Sequence, residues 1–362
     1  MAFRGLCYQM PPLRRPTAPQ VCVLGVLALA LALPATASAQ PPAGKLGIAT
    51  IGGLHTLSAH ELGRELDASR AAGARWIRTD VNWASVQSGG RNSWNWAPFD
   101  RVIRGARARG LRVLATIGYT PAWARPAGTP AHHPPRRAKA YARFARAAAR
   151  RYKRNGVRHW EIWNEPNLAG AWAGGVSALR YGRLLRAGAR GIRRANRRAV
   201  IITGGLSPAA NADGNIAPVT FLSRLYRHGF RRSFDHVGHH PYTFPSYPSR
   251  RRAWSPWRQM AWTRPSLRAV MVKFGNRHKK IWATEYGAPT GSDRAVSEST
   301  QAAMLREAYR LWGRYSWTGP LFWYSLRDRG PVSWHTTCGL VRGDFSRKPA
   351  FAAYRAIADS SR

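Results

Sequence analysis

The chain has 362 residues, which is enough for one large domain and too many for a small binding module. It carries 58 Lys and Arg against 16 Asp and Glu, a formal net charge of +42, and this balance predicts attraction to anionic polymers. Only three cysteines are present, which excludes a disulfide-rich scaffold, so the fold must depend on a large core to which 16 tryptophans contribute.

The first 39 residues have the pattern of a secretory signal peptide. Arginines but no acids occur in residues 1–15, an apolar run covers 21–33, and small residues at 37–39 fit a signal-peptidase site. The apolar run is shorter than the roughly 20 residues that a membrane-spanning helix needs. We therefore expect a signal peptide at 1–39, a single catalytic domain at 40–362 with no membrane span after cleavage, and a secreted or cell-envelope location.

The positive charge has two possible interpretations. It can attract nucleic acid, teichoic acid or an acidic polysaccharide. The arginines are dispersed along successive helices and form no motif in which basic and aromatic residues alternate, so a compositional origin is favoured. We expect no specific nucleic-acid site, while electrostatic association with anionic cell-envelope polymers stays open.

After residue 40, short β-branched or aromatic runs alternate with longer Ala, Arg and Leu runs at helical spacing. Strict alternation predicts parallel strands joined by helical crossovers. Eight strand–helix units favour one type of α/β fold, a single (β/α)₈ TIM barrel. The predicted strands are 46–50, 76–79, 112–117, 159–163, 200–203, 236–239, 280–283 and 321–324. The predicted helices are 58–72, 98–109, 136–154, 177–196, 219–228, 257–278, 298–315 and 349–358.

Two glutamates close predicted strands of this barrel. Glu165 precedes Pro166, which would stop the fourth strand, and Glu285 occupies the same place in the seventh, before Gly287. Active sites of such barrels lie at the carboxyl ends of the strands, so the two carboxyl groups should face each other. Retaining glycoside hydrolysis needs such a pair, one as nucleophile and one as protonated acid. Burial and the nearby Glu285 should raise the pKa of Glu165.

Other chemistries find little support in the sequence. It contains no His-Glu-x-x-His zinc motif, no paired-cysteine zinc motif and no phosphate-binding glycine loop after the first strand. It also lacks the Gly-x-Ser-x-Gly sequence of serine hydrolases. We expect no metal and no cofactor, and we expect the chain to act as a monomer.

Most of residues 47–358 resembles the clan A glycoside hydrolases, whose acid/base follows Asn on the fourth strand and whose nucleophile ends the seventh. Within the clan the chain is most similar to family 39 and related bacterial exopolysaccharide glycosidases, and next to family 5. The resemblance rests on Trp-Ile-Arg-Thr-Asp at 76–80, Tyr-Thr-Pro-Ala-Trp at 119–123 and Trp-Glu-Ile-Trp-Asn-Glu-Pro-Asn at 160–167.

The resemblance implies roles for further residues. Asn164 would bind the sugar 2-hydroxyl, Arg78 would keep the nucleophile ionised, and Tyr242 would hold Glu285 in place. His240 would line the sugar site, with His239 as its competitor. Trp323 would be the platform under the sugar ring. Aromatic candidates for neighbouring subsites are Trp83, Tyr119 and Trp123.

The expected function is retaining hydrolysis of O-glycosidic bonds, β-linked or the α-L-arabinoside equivalent, in a polysaccharide or oligosaccharide. The main alternative is a non-catalytic barrel that binds carbohydrate or the cell envelope, although the presence of both glutamates argues against it. A nucleic-acid-binding protein would rest on charge alone. Transglycosylation would use the same residues as hydrolysis.

Overall fold

A computed structural model describes residues 42–250 and 255–361. The predicted signal peptide at 1–39 lies outside the described residues. None of the helices in the described part of the chain is long and apolar enough to cross a membrane.

Eight parallel strands form one sheet in the described residues, in the order β5-β4-β3-β2-β1-β8-β7-β6. Single bridges, Ile202 to His236 and Leu206 to His239, join the two ends of this order, so the sheet closes into a barrel. The predicted (β/α)₈ fold is confirmed. The strands are β1 (Leu46–Ala49), β2 (Trp76–Asn82), β3 (Arg112–Gly118), β4 (His159–Ile162), β5 (Val200–Thr203), β6 (Val237–His239), β7 (Ile281–Tyr286) and β8 (Thr318–Tyr324).

Helices follow the strands as the pattern predicts. Ser58 and Glu61 form a capping box at the start of the first helix. The predicted helix at 257–278 is wrong, because Pro265 cannot donate a helical hydrogen bond and two short helices flank it. The helices are α1 (Ala59–Ala71), α2 (Trp83–Val86), α3 (Ala97–Ala108), α4 (Ala138–Tyr152), α5 (Ala178–Ala195), α6 (Pro218–Arg227), α7 (Pro256–Ala261), α8 (Leu267–Lys273), α9 (Glu298–Gly313) and α10 (Pro349–Ser360).

An aromatic cluster fills the barrel where the strands begin. Trp76 starts β2 and Trp282 lies early in β7, and their rings meet edge to face at 5.4 Å although the two strands are not neighbours. The rings therefore meet inside the barrel, where His159 and Phe322 also contact Trp76. Because apolar rings occupy this end, the polar residues of the strands collect at the carboxyl ends.

Candidate active site

Glu165 lies in a turn rather than at the last strand position. β4 ends at Ile162, and Trp163 and Glu165 then adopt left-handed backbone conformations with φ of 72° and 48°. The N–H of Glu165 donates to the carbonyl of Gly205 at 3.1 Å. Non-glycine residues in this conformation are strained and concentrate at functional sites. The turn directs Glu165 away from the ladder of the sheet.

Glu285 lies within β7, and both of its carboxylate oxygens are engaged. Arg78 Nη1 donates to Oε1 at 2.6 Å, and the Tyr242 hydroxyl donates to Oε2 at 2.9 Å. Gly287 is not left-handed; it is needed because a Cβ there would lie 2.1 Å from the carbonyl oxygen of Tyr324. Close packing of the chain after β7, rather than a turn, explains this glycine.

Arg78 connects three side chains of the site. Besides Glu285, it donates from Nε to Glu161 and from Nη2 to the amide oxygen of Asn164, each at 2.6 Å. Burial lowers the pKa of Arg78, but Glu161 and Glu285 outweigh burial and the net shift is upward. Arg78 is therefore a fixed positive charge beneath the carboxylates. With its oxygen taken, the Asn164 amide group is left to donate.

Glu161 was missed in the sequence, although a charged residue inside an apolar strand is a signal. It is fully buried on β4. One carboxylate oxygen accepts from Arg78 and from Thr116 Oγ1 at 2.7 Å, and the other accepts the N–H of Gly205 at 2.9 Å. Three donors compensate the buried charge, which would otherwise be costly. Glu161 thus supports Arg78 from below.

His240 lies between the two glutamates. Its Nδ1 is 2.9 Å from Glu165 and 3.6 Å from Glu285, and its Nε2 is 3.0 Å from Thr284 Oγ1. A Cβ at position 205 would lie 2.1 Å from Nε2, so Gly205 is required here. His239 instead faces the core, where burial lowers its pKa to about 4. The geometry therefore separates the two neighbouring histidines.

The pKa of Glu165 is shifted opposite to the sequence expectation. Burial raises this pKa, but the hydrogen bond and charge of His240 outweigh burial, and Ser207 and Arg78 add to the lowering. Burial lowers the pKa of His240, and the charges of Glu285 and Glu165 turn the net shift upward. The predicted rise in the pKa of Glu165 is therefore wrong, because the hydrogen bond and charge of His240 outweigh the effect of burial.

Asp80 and Tyr119 line the same site beside Arg78. Asp80 follows Arg78 by two positions on β2, so both lie on one face of the strand, and it is hydrogen bonded to the Tyr119 phenol. Burial raises the pKa of Asp80 to about 6, with Arg78 opposing and Glu161 and Glu285 adding to the rise. Tyr119, a predicted site residue, is left-handed with φ of 65°. Asp80 was not singled out in the sequence.

Two predicted aromatic residues do not face the site. Trp323 is fully buried, and its indole N–H donates to the Cys338 carbonyl at 3.0 Å. The neighbouring Tyr324 points the other way, and its pKa is raised by burial and by Glu285. Tyr324 therefore takes the position expected of Trp323.

The second of these residues, Trp83, is buried by α2, the helix that follows β2. Trp83 is fully buried against Phe144 of α4, so it cannot contact a sugar. Trp123 is half-buried, packs edge to face on Trp83 at 5.7 Å and donates to the Gln87 carbonyl. Of the predicted aromatic subsite residues, Tyr119 is the one that the structure brings beside the carboxylates.

One group of side chains could bind a cation. Ligand atoms of Glu165, His240 and Glu285 lie within 4.8 Å of one another. The Nδ1 atom of His240 is occupied by its hydrogen bond to Glu165. The arrangement is that of a hydrogen-bonded proton-transfer group with two carboxyl groups.

Comparison with known proteins places the chain in a family. The model of the cellulase family, glycosyl hydrolase family 5, matches residues 58–321 and so includes both glutamates. The chain belongs to this family. It is thereby a member of the glycoside hydrolases, and the expected clan is confirmed. None of the curated proteins matches the chain.

Solved structures share the barrel. A family 39 glycoside hydrolase from Bacteroides cellulosilyticus WH2 is 23% identical with a TM-score of 0.69, over 89% of this chain and 64% of that chain. A family 39 enzyme from Xanthomonas axonopodis pv. citri is 20% identical (TM-score 0.65, 89% and 68%). A monomeric β-xylosidase from Caulobacter crescentus CB15 is 18% identical (TM-score 0.64, 87% and 68%). The chain therefore spans less than two thirds of the length of the Bacteroides enzyme.

Asp80 leads to a prediction about stability. Its pKa rises from the usual 3.8 to about 6 on folding, so the folded chain binds its proton more tightly and this site loses stability as the pH rises from about 4 to 6. We expect Asp80→Asn, which can still accept from Tyr119, to raise the free energy of unfolding at pH 7 by about 1–3 kcal/mol. At pH 4 the gain should vanish. Urea unfolding at both pH values measures it, and an equal gain at both would contradict the assignment.

Proposed function

We propose that the chain is a retaining glycosidase that cleaves β-linked O-glycosidic bonds of a polysaccharide or oligosaccharide by double displacement. The observation that carries the proposal is the spacing of Glu165 and Glu285: one carboxylate oxygen of Glu165 lies within 4.8 Å of one carboxylate oxygen of Glu285. Retaining enzymes separate the two carboxyl groups by about 5–5.5 Å, whereas inverting enzymes leave about 6.5–9.5 Å for a water. The shorter spacing supports retention.

The contacts of the two carboxyl groups support different roles. Glu285 is held at both oxygens by Arg78 and Tyr242, which suits a nucleophile that must keep one orientation. Glu165 contacts the titratable His240 and the hydroxyl of Ser207, which suits a group that gains and loses a proton. We therefore assign Glu285 as nucleophile and Glu165 as acid/base.

The reaction then proceeds in two steps. Glu285 attacks the anomeric carbon, the bond from that carbon to the leaving oxygen breaks, and Glu165 gives its proton to that oxygen. A water next loses a proton to Glu165 and attacks the same carbon, which breaks the bond to Glu285 and releases the sugar. The free amide hydrogens of Asn164 can donate to the sugar 2-hydroxyl, a contact that strengthens in the transition state.

His240 supplies the proton before the first step. We infer that Nδ1 is protonated and donates to Glu165 before substrate binds, because it lies 2.9 Å from the carboxylate and the two groups shift each other's pKa towards the charged forms. A bound sugar excludes water from the site and favours the neutral forms, so the proton moves over 2.9 Å to the carboxylate. The acid form that catalysis needs is thus produced by substrate binding.

We also propose that the chain is exported, on the basis of the residue pattern at 1–39. Its substrate would then be an extracellular or cell-envelope carbohydrate.

The stereochemistry of the first product tests the proposal. Residues 41–362 are incubated with a panel of aryl β-glycosides, and ¹H NMR follows the anomeric proton before mutarotation. We expect the β-anomer to form first. Initial formation of the α-anomer would mean inversion, and sugar binding without any product would favour the carbohydrate-binding alternative.

A further inference from the structure

A cavity opens directly beside the two glutamates. Its volume is about 380 Å³, within the range of roughly 300–1,000 Å³ that ligand pockets occupy. Tyr242, which holds Glu285, and Ser207, which is hydrogen bonded to Glu165, both line it. Because Ser207 lies against the acid/base, the cavity extends from the leaving-group side of the site. None of the roles assigned above uses it.

The wall of this cavity is aromatic. The rings of Tyr242, Phe244 and Trp334 contact one another, with centroids 5.4–5.7 Å apart. Phe244 is mostly buried, while Trp334 is partly exposed. Flat aromatic surfaces of this kind pack against the C–H faces of sugar rings. The wall therefore fits a saccharide unit adjacent to the scissile bond.

Two arginines from different loops border the same cavity. Arg250 follows β6 and Arg294 follows β7, and the Arg294 guanidinium lies over the Phe244 ring, 5.0 Å from its centroid. No carboxylate is among the residues that line the cavity in the described parts of the chain, and no ion pair there includes either arginine. These two arginines are distinguished by their position at the edge of the aromatic wall.

We propose that this cavity is a leaving-group subsite for an anionic sugar unit, one that carries a carboxylate or a sulfate ester. The inference rests on the proposed function and adds the substrate class, an acidic polysaccharide. The aromatic wall holds the ring, and the planar guanidinium of an arginine matches two oxygens of such an anion. The chain has 58 basic and 16 acidic residues, and this positive charge would attract the same polymer to the site.

Binding to matched oligosaccharides tests the subsite. The probes are β-linked oligomannuronate and hyaluronan hexasaccharides with their carboxyl-reduced counterparts, and carrageenan oligosaccharides with their desulfated counterparts. Binding is measured by calorimetry at 0.3 M NaCl on the chain with the substitution Glu285→Gln, which should not hydrolyse the probes. At this ionic strength long-range attraction to the basic surface is screened.

We expect at least one charged probe to bind about tenfold or more tightly than its neutral counterpart, the size of one charge-assisted contact. The double substitution Arg250→Gln and Arg294→Gln should abolish this preference. The matched control, Arg104→Gln with Arg146→Gln, removes the same charge from a separate basic cavity beside α3 and α4 and should leave the preference intact. The kind of probe preferred distinguishes a carboxylate from a sulfate ester.

Two results would overturn the inference: no preference for any charged probe, or an equal loss in the control pair. Hydrolysis of the charged probes and of neutral aryl glycosides, measured in parallel on the chain with Glu285 intact, separates this outcome from the function. If hydrolysis persists while the preference is absent, the subsite is wrong and the glycosidase stands. If the preference is present without hydrolysis, the cavity is a binding site and the glycosidase proposal is wrong.

Discussion

Alanine at Glu285 is expected to abolish hydrolysis and alanine at Glu165 to slow it, and azide is expected to rescue the two variants with opposite stereochemistry. In Glu285→Ala, azide takes the place of the nucleophile and gives an α-glycosyl azide. In Glu165→Ala, a substrate with a good leaving group still forms the glycosyl-enzyme, which azide opens to a β-glycosyl azide. Loss of the acid should lower kcat by about 10²–10⁴-fold on substrates that need protonation.

NMR of the azide products identifies both roles in one experiment. Glu298→Ala is the matched control, because this glutamate on the outer helix α9 pairs with Arg342 away from the site. It should retain wild-type activity without azide. The same anomer from both site variants would contradict the assignment of nucleophile and acid/base.

Arg78→Met is expected to have the largest effect on stability. The substitution keeps most of the side-chain volume but leaves Glu161 and Glu285 in the barrel without their shared cation. Removal of one partner from a buried ion pair costs about 3–5 kcal/mol, because the remaining charge is uncompensated. Activity should fall as well, since the Glu285 carboxylate and the Asn164 amide lose the donor that orients them.

A surface arginine provides the comparison. Arg109 also donates to a carboxylate at 2.6 Å, but its partner Asp67 is mostly exposed. Arg109→Met should therefore cost no more than about 1 kcal/mol. Urea unfolding at pH 7 measures both variants, and similar losses would mean that burial of the Arg78 network contributes nothing measurable.

The fold could be predicted because the period of the apolar residues changes between strands and helices along the whole chain. Glu165 and Glu285 could also be predicted as site residues, because each is a charged residue at the end of an apolar strand. Asp80 could have been found by the same reasoning, since residues two apart on a strand share a face and Arg78 was already singled out.

Other features could not be read from the sequence. β8 is apolar on both faces, so alternation does not tell which of Trp323 and Tyr324 points towards the site. The lowered pKa of Glu165 depends on His240, which lies 75 residues away along the chain. Trp83 is a candidate for a sugar subsite in the sequence, but a short helix after β2 turns it into the core.

Gly205, which has no side chain, has a consequence for how the site tolerates change. Its carbonyl fixes the turn of Glu165, its N–H holds Glu161, and its bare Cα gives His240 room. A displacement of the backbone after β5 would therefore disturb Glu165, Glu161 and His240 together. Displacement of this backbone can therefore affect catalysis without any substitution among the titratable residues.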